Sequence, residues 1–130
     1  MTTAASPFQS AAVIGGGAWG TALAALIAAN RVDTLVWALE PETAASINES
    51  HENKPFLEGV RLAEGVKATS DLASVGGRDA YLFVAPAQHA RPLLASLKRV
   101  APAGAPLALC SKGLERTSGK LLTEVLSEVW

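Results

Sequence analysis

Three glycines carry the first chemical signal in this chain: Gly15, Gly17 and Gly20 stand in the spacing G-x-G-x-x-G. Lacking a β-carbon, Gly15 permits a tight turn, Gly17 lets a bulky anion reach the backbone, and Gly20 lets the following helix pack close to a strand. A turn of this kind at the mouth of a helix offers unpaired N–H groups and the positive end of the helix dipole, worth ~0.3–1 kcal/mol beside several hydrogen bonds. It grips a diphosphate without a lysine. The spacing by itself is generic to glycine turns, so its surroundings decide its meaning. Here it follows an apolar run, opens a helical pattern within a βαβ unit of about 30 residues, and is followed by an acidic residue, Glu40, 20 positions after Gly20. Together these conditions predict a dinucleotide site, with a purely structural turn as the alternative.

Glu40 falls at the end of the second apolar run, where a carboxylate would accept from both hydroxyls of an adenosine ribose and repel a 2′-phosphate. That favours NAD and leaves NADP open. A solvated first-turn carboxylate that suits the next helix dipole is the competing reading. Arg31 precedes the same strand, at the far end of the sheet, and is poorly placed for a 2′-phosphate. Trp19, inside the turn, either covers the diphosphate or staples the helix to its neighbours. Lys112, beside Gly113 after the fifth apolar run, delivers a cation toward the same crevice for a phosphate or a carbonyl oxygen, or is a solvated loop lysine.

Other chemistry finds less support. Gly113 and Gly119-Lys120 resemble a phosphate loop, but five residues separate the glycines and Leu121 follows the lysine. That motif needs four residues there, and Ser or Thr after the lysine. His51 and His89 are isolated, and Cys110 adds no metal-ligand spacing, so no metal is expected. No general base and no catalytic residue can be named. Eleven Lys and Arg against twelve Asp and Glu give a net charge of −1, which lacks the basic footprint of nucleic-acid binding. Met1 to Asn30 carries no charged side chain, yet its longest apolar run, Ala22 to Ala29, is eight residues where a span needs about 20. No membrane span or export signal is expected, and the single cysteine fits a cytoplasmic protein. The Asn48-Glu49-Ser50 sequon then reads as a helix end.

The elements that must position these residues alternate in period. Strands are expected at Ala11 to Ile14, Thr34 to Ala38, Val66 to Thr69, Ala80 to Ala85 and Pro106 to Cys110. The fourth, six apolar residues in a row, reads as a parallel strand covered on both faces and ends at Pro86. Helices are expected from Thr21 to Ala29, ended by a left-handed Asn30, and from Pro41 to Ser50. Two more begin at Pro92 and near Leu121, and Ser70 or Asp71 caps a short helical turn. His51 to Gly65 is a mixed loop, functional or mobile. With 130 residues and 49% apolar content this is one domain, 1–130. The succession predicts an α/β, Rossmann-like doubly wound parallel sheet of strand order 3-2-1-4-5 with helices on both faces. Its ligand crevice lies between the carboxyl ends of strands one and four.

Several strings are recognisable together: Val13-Ile14-Gly15-Gly16-Gly17-Ala18-Trp19-Gly20-Thr21-Ala22-Leu23-Ala24, Leu35-Val36-Trp37-Ala38, His51-Glu52-Asn53 with Phe56-Leu57-Glu58-Gly59, and Ser111-Lys112-Gly113-Leu114-Glu115. The chain resembles the amino-terminal domain of NAD(P)-dependent glycerol-3-phosphate dehydrogenases over about residues 10 to 129. The resemblance implies an oxidoreductase that transfers hydride between NAD(P)H and dihydroxyacetone phosphate, giving sn-glycerol 3-phosphate for phospholipid biosynthesis. It implies cofactor contacts at Gly15, Gly17, Ala18, Trp19, Gly20, Leu39, Glu40, Pro86 and Lys112, and a substrate contact at Lys112 as well. Ala18 replaces the usual serine of the turn, Leu39 stands where many members carry Arg or His, and Ala85-Pro86-Ala87 replaces a common Val-Pro-Ser. Family members continue into a helical domain with the catalytic lysine. This chain is therefore expected to be a fragment that binds dinucleotide without turnover, and the resemblance allows a homodimer of the full-length enzyme. The other readings are a ketopantoate reductase or 3-hydroxyacid dehydrogenase type of domain, or a non-catalytic dinucleotide-binding module.

Overall fold

The computed structural model describes residues 7–130, so Met1 to Ser6 of the uncharged leading stretch lie outside the described residues. Five parallel strands make one sheet: β1 (Ser10–Ile14), β2 (Asp33–Trp37), β3 (Val66–Thr69), β4 (Ala80–Phe83) and β5 (Leu107–Leu109), in the order β3-β2-β1-β4-β5. The helices are α1 (Ala18–Ala29), α2 (Pro41–Ser50), α3 (Ala90–Lys98) and α4 (Leu122–Val129), with 3-10 turns at Leu72–Val75 and Ala87–His89. Asp71 caps the first of these turns by accepting from the Ala73 N–H, as expected.

Alternation along β1 shows how one strand serves two cores. Ala12 and Ile14 point into a cluster with Phe83 of β4, Leu94 and Leu97 of α3, and Leu122 and Val125 of α4. Val13 points the other way, into a cluster with Val36, Ala24 of α1, and Ala44 and Ile47 of α2. Helices therefore cover both faces, and a central strand buried twice explains the apolar reading of its sequence. Burying a side chain such as Phe83, Leu94 or Leu97 completely contributes about 1.5–3 kcal/mol each.

Several boundaries differ from the sequence reading. Helix α1 opens at Ala18, so Ala18 and Trp19 belong to its first turn. Asn30 is not left-handed: its side-chain amide donates to the Leu26 carbonyl one turn back, which keeps its φ at −91°, and Arg31 takes the left-handed turn at φ 61°. Strand β4 ends at Phe83 and β5 runs only from Leu107 to Leu109, although bonds continue past both ends. The Val84 N–H donates to the Ile14 carbonyl and the Cys110 N–H to the Phe83 carbonyl, both at 2.8 Å. Helix α3 begins at Ala90, two residues before Pro92, because proline is tolerated within a first turn whose N–H groups need no partner.

Two asparagines do structural work that no periodicity announces. Asn48, in α2, both donates to the Ala68 carbonyl and accepts from the Ala68 N–H at 2.8 Å, pairing the outer edge of β3 as a neighbouring strand would. The loop after α2 is folded back on itself rather than loose: Asn53 bridges to Leu57, and the Leu62 N–H donates to the His51 carbonyl at 2.7 Å. At the opposite ends of the strands, the Gln9 and Ser10 N–H groups donate to Asp79, which holds its carboxyl below the usual carboxylate range. Among the described residues no helix is long and apolar enough to cross a membrane.

Candidate functional site

The strand order reverses between β1 and β4, and the cleft lies beyond their carboxyl ends there. It measures about 610 Å³, within the usual range of small-molecule sites. The glycine turn forms one side and Val84 to Pro86 the other.

Each glycine of the turn has its own reason. At Gly15 the backbone has φ +133°, and a Cβ would lie 2.8 Å from the Ala85 nitrogen, so the turn packs against the exit of β4. A Cβ on Gly20 would sit 2.0 Å from the Gly15 carbonyl oxygen, so no side chain fits between helix and turn. Gly16, a free position in the motif, is constrained too, since its Cβ would fall 2.6 Å from that of Ala38 at the end of β2. Gly17 is the exception: a Cβ there would meet nothing within 4 Å. Its bare face is not needed for packing and opens toward the cleft.

Gly17 is also the N-cap of α1 and brings no side-chain cap. The first N–H groups of a helix have no partner inside it, so the α1 mouth presents donors and a positive dipole end to the cleft. No lysine or arginine is among the described residues that line it. Glu40 lines the far wall as N-cap of α2, beside Leu39, which is 65% exposed. Trp19, 60% exposed, and Phe56 complete an apolar rim, so Trp19 is no buried staple. Arg31 lies before β2, at the opposite strand end from Glu40.

The expected site residues thus gather with one exception. Gly15, Gly17, Ala18, Trp19, Gly20, Leu39, Glu40 and Pro86 all line the cleft; Lys112 is exposed and does not. It follows β5 on a loop held near the cleft: the Ser111 hydroxyl donates to the Ala85 carbonyl at 2.6 Å, and a Cβ on Gly113 would touch Ala87 at 3.5 Å. Beyond it, the bridge between Leu114 and Leu121 closes a loop that Gln88 holds, donating to the Leu114 carbonyl and accepting from the Arg116 N–H. Arg91 of α3 donates to both carboxylate oxygens of Glu115 and to Glu128 of α4, and Lys120 also pairs with Glu128. The Arg91 guanidinium, helped by the Ser118 hydroxyl, brings the Glu115 carboxyl down to about 2. Lys120 first and Arg91 second hold Glu128 below the usual range.

Phe56, His89 and Leu93 also line the cleft, although no spacing in the sequence gives them a part in the site. Nor does any spacing mark Asn53, which stands in the sequence only as part of a string that carries the resemblance. That side chain is fully buried behind the turn, donating to the Gly16 carbonyl at 2.8 Å and to the Thr21 hydroxyl at 2.7 Å. An uncharged residue in a loop 32 residues beyond Thr21 carries no local pattern that would reveal this. Burial pushes the Cys110 thiol up, away from reactive thiolate. No group of His, Cys, Asp and Glu among the described residues is arranged to hold a metal ion.

Fold and cleft together define a Rossmann-type doubly wound domain with its opening at the strand-order reversal. The chain belongs to the family described as NAD-dependent glycerol-3-phosphate dehydrogenase N-terminus, whose pattern matches residues 10–130. It is 49% identical over 121 residues to the glycerol-3-phosphate dehydrogenase (NAD(P)+) of Caulobacter vibrioides and 46% identical to that of Hyphomonas neptunium, both oxidoreductases by name. These alignments cover 93% of this chain but only 37% and 36% of the relatives, so the chain spans little more than a third of their length. The crystal structure of glycerol-3-phosphate dehydrogenase from Coxiella burnetii superposes with a TM-score of 0.85 at 28% identity, covering 94% of this chain and 38% of that one. A ketopantoate reductase from Ralstonia eutropha, at TM-score 0.71 and 21% identity, shares the fold; 92% of this chain and 38% of that one are covered.

Proposed function

We propose that the cleft binds NAD and that these residues form the cofactor half of a glycerol-3-phosphate dehydrogenase. One observation carries the reading: the only turn glycine whose bare face is not used for packing, Gly17, stands at the uncapped mouth of α1 in the cleft wall. A diphosphate fits that place because backbone donors and the dipole suit an anion and no β-carbon obstructs it. Gly15, Gly17, Ala18 and Gly20 would hold the diphosphate, Trp19 and Leu39 would flank it and the adenosine, and Glu40 would accept from the ribose hydroxyls. Pro86 would border the other end of the cofactor. Lys112 would reach the cofactor and the substrate by swinging its exposed side chain inward.

The cofactor supplies hydride, and in the whole enzyme it would reduce the carbonyl of dihydroxyacetone phosphate to give sn-glycerol 3-phosphate for phospholipid synthesis. We assign residues 1–130 to the cofactor domain and, Lys112 apart, the groups that hold the substrate to the part of the relatives' length not spanned here. This chain would then bind dinucleotide without turnover, in the cytoplasm, and the whole enzyme would work as a homodimer without nucleic-acid partners.

Isothermal titration with NADH and NADPH tests the reading. NADH should bind, and NADPH at least about 10-fold more weakly, because Glu40 faces the added phosphate. Glu40→Gln should narrow that gap. Equal or tighter NADPH binding by the parent chain would overturn the role given to Glu40, and absence of NADH binding would overturn the whole assignment.

A further inference from the structure

Asn53 is a fully buried polar residue that the cofactor assignment leaves unused. Its orientation follows from chemistry: the Gly16 carbonyl can only accept, so the amide nitrogen faces it, and the Phe56 N–H can only donate, so the amide oxygen faces that, at 3.2 Å. Both amide protons are spent, one on Gly16 at 2.8 Å and one on the Thr21 hydroxyl at 2.7 Å. Having accepted from Asn53, that hydroxyl turns its own proton to the Gly17 carbonyl at 2.8 Å.

The consequence lies on the other side of two peptide planes. No peptide bond among the described residues is cis, and in a trans peptide the C=O and N–H point in opposite directions. With the Gly16 carbonyl held on Asn53, the Gly17 N–H points away from it. With the Gly17 carbonyl held along the helix by the Thr21 hydroxyl and the Thr21 N–H at 3.0 Å, the Ala18 N–H points out of the α1 mouth. A single amide thus sets two donors, and its oxygen also anchors the backbone of Phe56, whose side chain belongs to the cleft rim.

We propose that Asn53 is a positioning residue for dinucleotide binding, which acts by orienting the Gly17 and Ala18 N–H groups toward the diphosphate. The inference rests on the cofactor assignment above. Asn53→Asp keeps the shape, removes both donors and draws the Thr21 hydroxyl proton to the new carboxylate, which frees the Gly16 carbonyl and leaves the Gly17 carbonyl with the Thr21 N–H alone. Thr21→Val removes the hydroxyl relay, and Thr21→Ser keeps it.

The test compares, in the full chain, ADP-ribose, which carries the diphosphate, with adenosine, which does not. Isothermal titration reads the first and ligand-observed NMR the second. Asn53→Asp and Thr21→Val should weaken ADP-ribose by about 10- to 100-fold, the loss of hydrogen bonds to a charged group, while adenosine affinity stays within about threefold. Thr21→Ser should bind ADP-ribose within about threefold of the parent. ADP-ribose binding unchanged in both weakened variants would overturn the inference, as would equal losses for the two ligands, which mark general damage to the fold. If thermal melting shows Asn53→Asp unfolded, the Thr21→Val and Thr21→Ser pair decides alone. A parent chain that binds neither NADH nor ADP-ribose refutes the cofactor assignment and this inference with it, whereas a parent that binds beside unaffected variants refutes this inference only.

Discussion

At the carboxyl ends of the strands the two halves of the molecule are tied together by different physics. There, around β1, β2 and β3, the long-range side-chain ties are neutral amides and hydroxyls, Asn53 and Thr21 behind the glycine turn and Asn48 along the edge of β3, whereas the Arg78–Asp33 ion pair and Asp79 lie at the other strand ends. Beside β4 and β5 an ionic cluster joins the neutral bonds of Gln88 and Ser111, with Arg91 clamped between Glu115 and Glu128 and Lys120 joining Glu128. The neutral half is where the backbone opens toward an anion. A carboxylate behind the turn would oppose the positive α1 mouth, and a cation there would draw the anion inward to the wrong place. Where α3 meets α4, on residues that do not line the cleft, no such restriction applies, and paired charges can hold the two helices.

The largest effects should appear inside the glycine turn, and they divide its packed glycines from its open one. Gly20→Ala should destabilise by about 1–3 kcal/mol or more, because its β-carbon would collide with the Gly15 carbonyl. Gly17→Ala should cost no more than about 1 kcal/mol in stability yet weaken NADH by about 10-fold. Urea unfolding and titration of both variants check this, and equal destabilisation would erase the distinction between packing and binding glycines. Next in size, Asn48→Ala should cost about 1–2 kcal/mol through the two lost bonds to Ala68, by a loss that urea midpoints show to be insensitive to added salt.

The ionic half should answer to pH instead. The Glu115 carboxyl titrates at about 2 against an ordinary 4.5, so its stabilising effect is complete above pH 4.5 and disappears as pH falls toward 2. Glu115→Gln should therefore unfold at lower urea than the parent at neutral pH, and the two should converge across that window. A gap that stays constant with pH would mean that the clamp acts through packing, and the contrast between the halves would weaken.

Legibility followed the distance over which each feature is determined. The glycine spacing, the apolar runs and Pro41 at the start of α2 are local, and the observed strand order and helix placement agree with them. Where a local rule met a competing local bond it failed: Asn30 spends its amide on Leu26, and the left-handed turn passes to Arg31. Gly16 is a free position in the motif, and what forbids a side chain there is Ala38, just past the end of β2, with Thr43 of α2 close behind. Lys112 was placed by its order after β5, whereas its exposed position depends on how the following loop is held to α3 and to the turn before it.

The sequence by itself determined that a parallel sheet forms and that a bare turn precedes its first helix, since side-chain periodicity and the absence of β-carbons act within a few neighbouring residues. Only the tertiary structure decided which of those bare positions faces solvent and which faces protein. It also decided that a buried amide 37 residues from Gly16 sits directly behind the turn. Contacts of that kind depend on where two separate segments come to rest, and chain folding alone brings them within hydrogen-bond reach.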